Sequence, residues 1–382
     1  MQDWHGGLTK LMESEITYVD TQAGLEALVA HLRLASRIGI DTEADNLHHY
    51  HTRVCLLQIS AGGREFLVDP LAGLDLRTLF DALAGKSLIM HGSDYDLRLL
   101  WDLCRFRPAE VFDTMLAAQL AGITRIGLSS LLNELLDIHH PKDSQKSDWS
   151  KRPLPAKMAD YAARDVKHLE DLRTALLQRL EQRGRTGWHK QKCDWQIEVA
   201  TTGFPGPDEH SWRLGPSRHF SARAQAALFE LWHWRDGEAR RLDRPPFKVM
   251  SNEYLAKLAA AVDDGSWRDA YEDLPKGLKR GPSRGLFEAL EAGRSRDPKT
   301  LPKRPENRER RQPLSAQELS RQDKIRAHRD RQSQELEIDP TLIASRSQIA
   351  QLARQPDAAD QLLLPWQATL LRPALDACLA NW

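Results

Sequence analysis

The 382-residue sequence predicts an α/β domain built on a mixed sheet, followed by two small all-α domains. Three observations predict this. Residues 16–185 alternate short β-branched or apolar runs with stretches of helical period. Beyond about residue 205 strand signals stop, and the chain becomes helical, Arg-rich and interrupted by prolines. The C-terminal part also repeats itself: LDRPPFKVMSNEYLAKLA from Leu242 aligns without gaps with LEIDPTLIASRSQIAQLA from Leu336, 94 residues later.

The strands of the first part read as ITYVD from Ile16, RIGIDTE from Arg37, RVCLLQIS from Arg53, EFLVD from Glu65 and SLIMH from Ser87. Three of them follow one another before a long helical stretch, which predicts an antiparallel start to the sheet. Gly62-Gly63 between two of these runs is a hairpin turn and not a phosphate loop, because no helix follows. Helices are expected over residues 24–34, 75–84, 94–103, 113–121, 128–136 and 156–183, the last stopped by Gly184.

A domain boundary falls at residues 203–213, in the TGFPGPDEHSWR stretch. Each copy of the repeat carries a charged helix, a Pro-containing turn, a Ser placed to N-cap and an apolar-periodic helix. The same offset lays Arg235 and Asp236 on Arg329 and Asp330. The division that follows is a catalytic domain over 1–205, helical domains over 206–295 and 314–382, and between them a charged, Pro-rich linker over 296–313.

Composition narrows the function. The apolar fraction of 41% and charged fraction of 28% are those of an ordinary globular protein. No apolar run approaches the roughly 18 residues of a membrane span, and the first fifteen residues lack the apolar core of a signal peptide, so a cytoplasmic protein without membrane association is expected. Cys55, Cys104, Cys193 and Cys378 lie too far apart for a zinc motif or disulfide framework and read as reduced thiols. Lys plus Arg equals Asp plus Glu at 54 each, so an anionic partner must be recognised by local charge. Residues 299–332 supply one such excess, with 11 basic and 5 acidic side chains.

Four acidic residues and one tyrosine carry the chemistry. Strand period places Asp41 and Glu43 on the same face at the end of an apolar run, and two adjacent carboxylates repel unless a hard cation lies between them. The apolar run SLIMH leads into GSDYDLRLLWDL, a strand-to-helix turn bearing Asp94 and Asp96, with Ser93 or Asp94 as the better N-cap. In ADYAARDVKHL, Tyr161 and Asp165 stand four apart and share one helix face. Each piece alone has an ordinary explanation as a turn, cap or packing residue. An acid pair, a third acid and then Tyr-x-x-x-Asp together make the pattern a two-metal phosphodiesterase requires, and oxygen ligands without His or Cys select Mg²⁺ or Mn²⁺.

DTE at Asp41, HGSDYD ending at Asp96, and YAARD from Tyr161 to Asp165 resemble the three motifs of the tyrosine branch of the DEDD exonuclease superfamily. KSDWSKRPL is similar to the corresponding region of the ribonuclease D family, and the two C-terminal repeats resemble HRDC modules. The resemblance implies a ribonuclease H-like exonuclease domain followed by two HRDC-like domains. It implies a 3′-to-5′ exoribonuclease acting on RNA with a single-stranded 3′ end, with transfer-RNA precursors as the family's expected substrate and no obligate protein partner. It assigns the third acid to Asp96, spaced five residues from His91.

The resemblance also implies the roles: two divalent cations about 4 Å apart, Asp41 bridging them, Glu43 and Asp165 completing the nucleophile-side site, and Asp96 supporting the other. Tyr161 orients the attacking water and need not act as a base, since a phenol with pKa near 10 accepts a proton poorly at pH 7. Lys146, Trp149, Lys151 and Arg152 offer phosphate contacts and a stacking surface just before the metal-binding helix. Arg235, Arg240, Arg241, Lys248, Arg326 and Arg329 are placed to track the RNA backbone farther away. His48, His49 and His51 read as a solvated surface loop. Two other readings fit the same residues: a DNA 3′-to-5′ exonuclease of the same superfamily, and a non-catalytic nucleic-acid-binding protein.

Overall fold

The computed structural model of the chain describes residues 16–141, 147–274, 283–303 and 313–380. Six strands, β1 (Thr17–Val19), β2 (Arg37–Ala44), β3 (Val54–Ala61), β4 (Arg64–Val68), β5 (Ser87–Met90) and β6 (Glu110–Asp113), form one mixed sheet in the order β1-β4-β3-β2-β5-β6. β3 and β4 are the expected antiparallel hairpin, with Gly62 and Gly63 both in the left-handed region, where glycine carries no Cβ penalty. β2, β5 and β6 run parallel. β6 was not expected, because four residues beside Pro108 are too short to show an alternation; pairing with β5 makes EVFD a strand.

The helices of this part are α1 (Gln22–Leu32), α2 (Arg77–Ala84), α3 (Asp94–Cys104), α4 (Thr114–Leu120), α5 (Leu128–Leu136), α6 (Ala156–Lys167), α7 (Leu169–Gln182) and α8 (Thr186–Ala200). The single helix predicted over 156–183 is broken at His168, whose φ of −108° and ψ of 14° leave the helical region. Two different packing demands account for the break. α6 presses Met158, Tyr161, Ala162 and Ala163 onto Cys55, Leu56 and Leu67 of the sheet, whereas α7 turns Leu169, Leu172, Leu176 and Leu180 into a second core.

That second core is shared. The C-terminal helices α14 (Ala316–Leu336), α15 (Pro340–Ile343), α16 (Arg346–Arg354), α17 (Ala359–Leu362) and α18 (Pro365–Leu379) send Ile325, Ile343, Ile349, Leu352, Trp366 and Leu371 into the cluster of α7. Burial of each such side chain favours the packed state by about 1.5–3 kcal/mol. Trp188 of α8 stacks on Trp366 with ring centres 4.6 Å apart and an interplanar angle of 12°. One compact unit therefore comprises residues up to Glu43, Val54–Phe204 and the segment from Pro313 onward.

The other unit comprises Ala44–Arg53 and Pro205–Gln312. Its helices are α9 (Ala222–Arg241), α10 (Pro246–Val249), α11 (Asn252–Ala260), α12 (Trp267–Glu272) and α13 (Ser283–Ser295), around a core that includes Trp212, Leu228, Leu231, Leu255, Trp267 and Leu290. The loop 44–53 belongs here: Tyr50 donates from its hydroxyl to Asp236 at 2.8 Å, and Asp243 accepts from the Tyr50 amide at 3.1 Å.

The sequence repeat has a structural counterpart. Arg235 Nη1 donates to the Met250 carbonyl at 3.0 Å, and Arg329 Nη1 to the Ala344 carbonyl at 2.9 Å. Ser251 and Ser345 cap α11 and α16. Arg235 and Arg329 are 6% and 7% exposed, so neither is available to RNA as the sequence reading expected. Each guanidinium instead satisfies a buried carbonyl at the turn of its own module. Arg241 and Arg326 are surface partners of Glu238 and Asp323, and Arg240 lies over the Tyr50 ring. Loss of a charged hydrogen bond to a buried carbonyl costs about 1.5–3 kcal/mol, so Arg329→Ala is expected to lower the urea midpoint by that equivalent. Arg326→Ala, which removes an exposed pair, is expected to cost under about 1 kcal/mol; equal midpoints for the two variants would contradict the structural role of Arg329.

Candidate active site

β2 brings its acids to the site by strand alternation. Gly39, Asp41 and Glu43 share one side, and the glycine is what lets α6 come near: a Cβ on Gly39 would stand 3.3 Å from the Val166 carbonyl and 3.4 Å from Leu169 Cδ1. The close approach sets Asp165, next to Val166, against the strand. Oxygens of Asp41, Glu43 and Asp165 lie within 4.8 Å of one another, and they form the one such cluster among the described residues.

Asp96 reaches the site through a different network. Gly92, at φ of 72°, turns the chain from β5 into α3, in a space where a side chain would meet Met115. The fully buried Asp113 carboxylate then accepts from the amides of Gly92 (3.0 Å) and Ser93 (2.8 Å), and from Met115 (2.8 Å) at the start of α4. Ser93 occupies the N-cap position but gives its hydroxyl to Asp113, leaving no side-chain cap on α3. Asp94 turns outward to pair with Arg98 at 3.2 Å. Asp96 is buried and accepts a hydrogen bond from the Thr42 hydroxyl, between the two acids of β2. Geometry thus places Asp96, not Asp94, on the side of the cluster.

Tyr161, one helical turn before Asp165, is 6% exposed and hydrogen-bonded to it. Trp149, expected as a stacking surface for RNA, is instead 1% exposed and packs with its ring 6.1 Å from that of Tyr161. Arg152 is likewise turned inward: Nε and Nη2 donate to the two oxygens of Asp69 at 2.6 and 2.7 Å, and Nη2 also to the Cys55 carbonyl at 2.6 Å. It clamps the segment that carries Trp149 onto the sheet. Lys151 is exposed, and Lys146 lies outside the described residues.

Two contributors were missed in the sequence. In the sequence Asp113 marks the start of a helix, and an Asp at a strand end before a helix is a strong N-cap signal. His140 gave no signal, sitting next to His139 and Pro141 in a polar stretch. Its Nε2 stands 2.9 Å from Asp165 Oδ1, its ring meets Tyr161 edge-on at 6.2 Å, and it is 5% exposed.

The electrostatics follow from crowding. Removal from water, and then the charges of Asp96, Asp165 and Glu43, push the Asp41 carboxyl well above the usual carboxylate range. Burial, with Asp165 and Asp96, raises Glu43 to about 9. Burial raises Asp96 to about 6, against the Thr42 hydrogen bond, with the Asp113 charge adding to the rise. Burial and the charges of Asp165, Glu43 and Asp41 also raise Tyr161 above its ordinary 10.0, which keeps the phenol protonated at neutral pH. No Lys or Arg among the described residues pairs with Asp41 or Glu43. A partly buried carboxylate cluster without Lys or Arg fits hard divalent cations and not zinc or copper.

A sequence model of 3′-5′ exonuclease domains matches residues 16–181, and one of HRDC domains matches residues 224–263. Fold and site define a divalent-metal-dependent 3′-to-5′ exonuclease of the DEDD superfamily. The ribonuclease D of Gluconacetobacter diazotrophicus is 30% identical over 358 residues, covering 92% of this chain and 90% of the relative, and that of Granulibacter bethesdensis is 29% identical over 364 residues, covering 92% and 89%. The chain belongs to the ribonuclease D family and is a hydrolytic 3′-to-5′ exoribonuclease. Its fold is that of Escherichia coli RNase D, an exoribonuclease involved in structured RNA processing (TM-score 0.69, 23% identity, 96% of this chain and 99% of the other). A protein of Bifidobacterium adolescentis shares it as well (TM-score 0.79, 22% identity, 95% and 96%).

The raised carboxyls have a consequence for stability. Unfolded carboxyls titrate near 4, so between that pH and about 9, where Glu43 titrates, the folded metal-free protein binds more protons than the unfolded chain. Stability contributed by the protonated cluster is complete below about pH 4 and is lost as pH rises toward about 9. In EDTA the melting temperature is therefore expected to fall from pH 5 to pH 9, with Glu43→Gln flattening the slope and Mn²⁺ restoring stability at pH 8; a rise with pH would contradict it. Loss of a side chain supporting a ligating carboxylate typically costs 10–100-fold in metal affinity. His140→Ala is accordingly expected to weaken Mn²⁺ binding by calorimetry about tenfold or more, and unchanged affinity would leave His140 as packing only.

Proposed function

We propose that this protein trims RNA 3′ ends by two-metal-ion phosphodiester hydrolysis, releasing nucleoside 5′-monophosphates one at a time, with transfer-RNA precursors among its substrates. The observation that carries the reading is the carboxylate cluster of Asp41, Glu43 and Asp165, paired with no Lys or Arg among the described residues, with Asp96 and Tyr161 beside it.

Two Mg²⁺ or Mn²⁺ ions, when bound, acidify the attacking water and stabilise the leaving 3′ oxygen. Asp41 would contact both, Glu43 and Asp165 would hold the one on the nucleophile side, and Asp96 would support the other. Thr42 restrains Asp96 through its hydroxyl. Tyr161, kept protonated by its surroundings, donates a hydrogen bond and orients the water without accepting its proton. Lys151 meets the phosphates near the 3′ end, and Lys146 is proposed with it. The whole-length relationship to ribonuclease D proteins supports RNA as substrate, and the involvement of the Escherichia coli protein in structured RNA processing supports a stable-RNA precursor. In this reading residues 1–205 carry the chemistry, 206–295 and 314–382 are HRDC-like modules about the linker 296–313, and the site of action is the cytoplasm, in keeping with the absence, among the described residues, of any helix long and apolar enough to cross a membrane.

The test uses purified protein and a 5′-labelled RNA with a single-stranded 3′ tail, beside its DNA equivalent, with Mn²⁺ or Mg²⁺ and with EDTA. Stepwise shortening of RNA in preference to DNA is expected, lost in EDTA and in Asp41→Ala. Tyr161→Phe is expected to lower kcat about 100-fold, in the range of a lost water-positioning group. Preference for DNA would move the protein to the DNA exonucleases, and binding without shortening in either metal would make it a binding module.

A further inference from the structure

Helix α8 has two faces. The inner one holds the loop that delivers Asp96: Gln196 Nε2 donates to Ser93 Oγ at 3.1 Å, and His189 Nε2 lies 3.0 Å from the Asp113 carbonyl. The flank beside it carries Lys192 and Trp195, three residues apart and so side by side, with Trp195 the more exposed. Trp195 is 54% exposed, the most exposed tryptophan among the described residues, and stands in no ring contact. Next to it is a cavity of about 230 Å³, walled by α8 and by the C-terminal helices through Thr341, Gln361 and Leu363. That is below the roughly 300–1,000 Å³ of pockets for drug-sized ligands, and suits a single planar ring.

The polar groups of the cavity divide into used and unused. Gln348 and Gln367 donate to the carbonyls of Leu362 and Leu342 at 2.8 and 2.7 Å and accept from the amides of Ser345 and Leu364, which makes the wall rigid. Lys192, by contrast, has neither a carboxylate nor a hydrogen-bond partner among the described residues, while its neighbours Lys190 and Arg107 are paired with Asp194 and Glu198. It is partly buried, and loss of water around the ammonium lowers its pKa. Gln361 is exposed and its amide has no hydrogen-bond partner among the described residues. An unneutralised ammonium at a half-dry wall favours an anion, and an open indole face favours a flat π-system. Nucleotides join the two.

We propose that Trp195, Lys192 and Gln361 form a nucleotide subsite for single-stranded RNA upstream of the 3′ end, the indole stacking a base and the ammonium meeting its phosphate. The subsite rests on the RNA assignment above. None of its three residues belongs to the Asp41, Glu43 and Asp165 cluster or to the loop bearing Asp96, so a strand engages it with nucleotides upstream of the scissile bond. A dinucleotide ends short of it.

The experiment measures kcat and KM for a 12-nucleotide single-stranded RNA and for an RNA dinucleotide with Mn²⁺, in the wild-type chain, Trp195→Ala, Trp195→Phe and Lys192→Gln. Trp195→Ala is expected to raise the ratio of the 12-nucleotide KM to the dinucleotide KM by roughly 5- to 150-fold, the span of base–aromatic stacking. Trp195→Phe, which keeps a π-face, is expected to restore most of it. Lys192→Gln is expected to reduce the salt slope of 12-nucleotide binding by about 0.7, one phosphate contact on a single strand. An unmoved ratio in Trp195→Ala overturns the subsite, as does an equal loss on both lengths, which would mean that the change acts through the Asp113 loop. Failure of the wild-type chain to shorten RNA would overturn the RNA assignment itself, so the two failures are distinguishable.

Discussion

Asp41, Glu43, Asp96 and Asp165 repel one another, and much of the catalytic unit can be understood as the scaffolding that holds them together regardless. The oxygens of three of them are confined within 4.8 Å, and removal from water raises the cost of charging Asp41 and Glu43. Strand alternation by itself brings only Asp41 and Glu43 together. The strain is contained by a rigid strand, by the missing side chain at Gly39 that admits α6, and by the Thr42 hydroxyl that holds Asp96. The same repulsion makes the site selective for compact divalent cations, which neutralise several oxygens at once.

Rigidity at this site comes from polar networks of long sequence reach. Asp113 ties the Asp96 loop to the start of α4 with backbone donors on both of its oxygens, and Gln196 extends the network to α8. On the opposite side Arg152 clamps the Trp149 segment to Asp69, and Trp149 then packs beside Tyr161. A half-buried guanidinium–carboxylate pair gains little net stability. Its value here is geometric, since its planar, two-pronged bonding fixes direction as well as distance.

The repeated helical modules show how one sequence pattern serves two settings. Arg235 and Arg329 make the same bond to the carbonyl fifteen residues on. The first module closes around its own Trp212 and Trp267 core, whereas the second merges its apolar side with α7 and stacks Trp366 on Trp188. The merger creates the concave wall along α8, where an exposed indole and an unpaired ammonium remain.

By itself the sequence determined whatever depends on neighbours a few residues apart. Strand alternation put Asp41 and Glu43 on one side, helical spacing did the same for Tyr161 and Asp165, and Ser caps with Pro turns marked the two modules. These are short-range rules of backbone geometry and survive in any context. Partners distant in sequence were decided only by tertiary structure: Asp69 for Arg152 across 83 residues, Thr42 for Asp96 across 54, Asp165 for His140. The pattern KSDWSKRPL shows a Trp and an Arg without showing that the sheet buries one and captures the other. β6 and the break at His168 were equally hidden, because each arises from packing against elements that composition does not name. Local spacing fixes which face a side chain occupies, and only the folded chain decides whether that face meets water, a neighbour or a substrate.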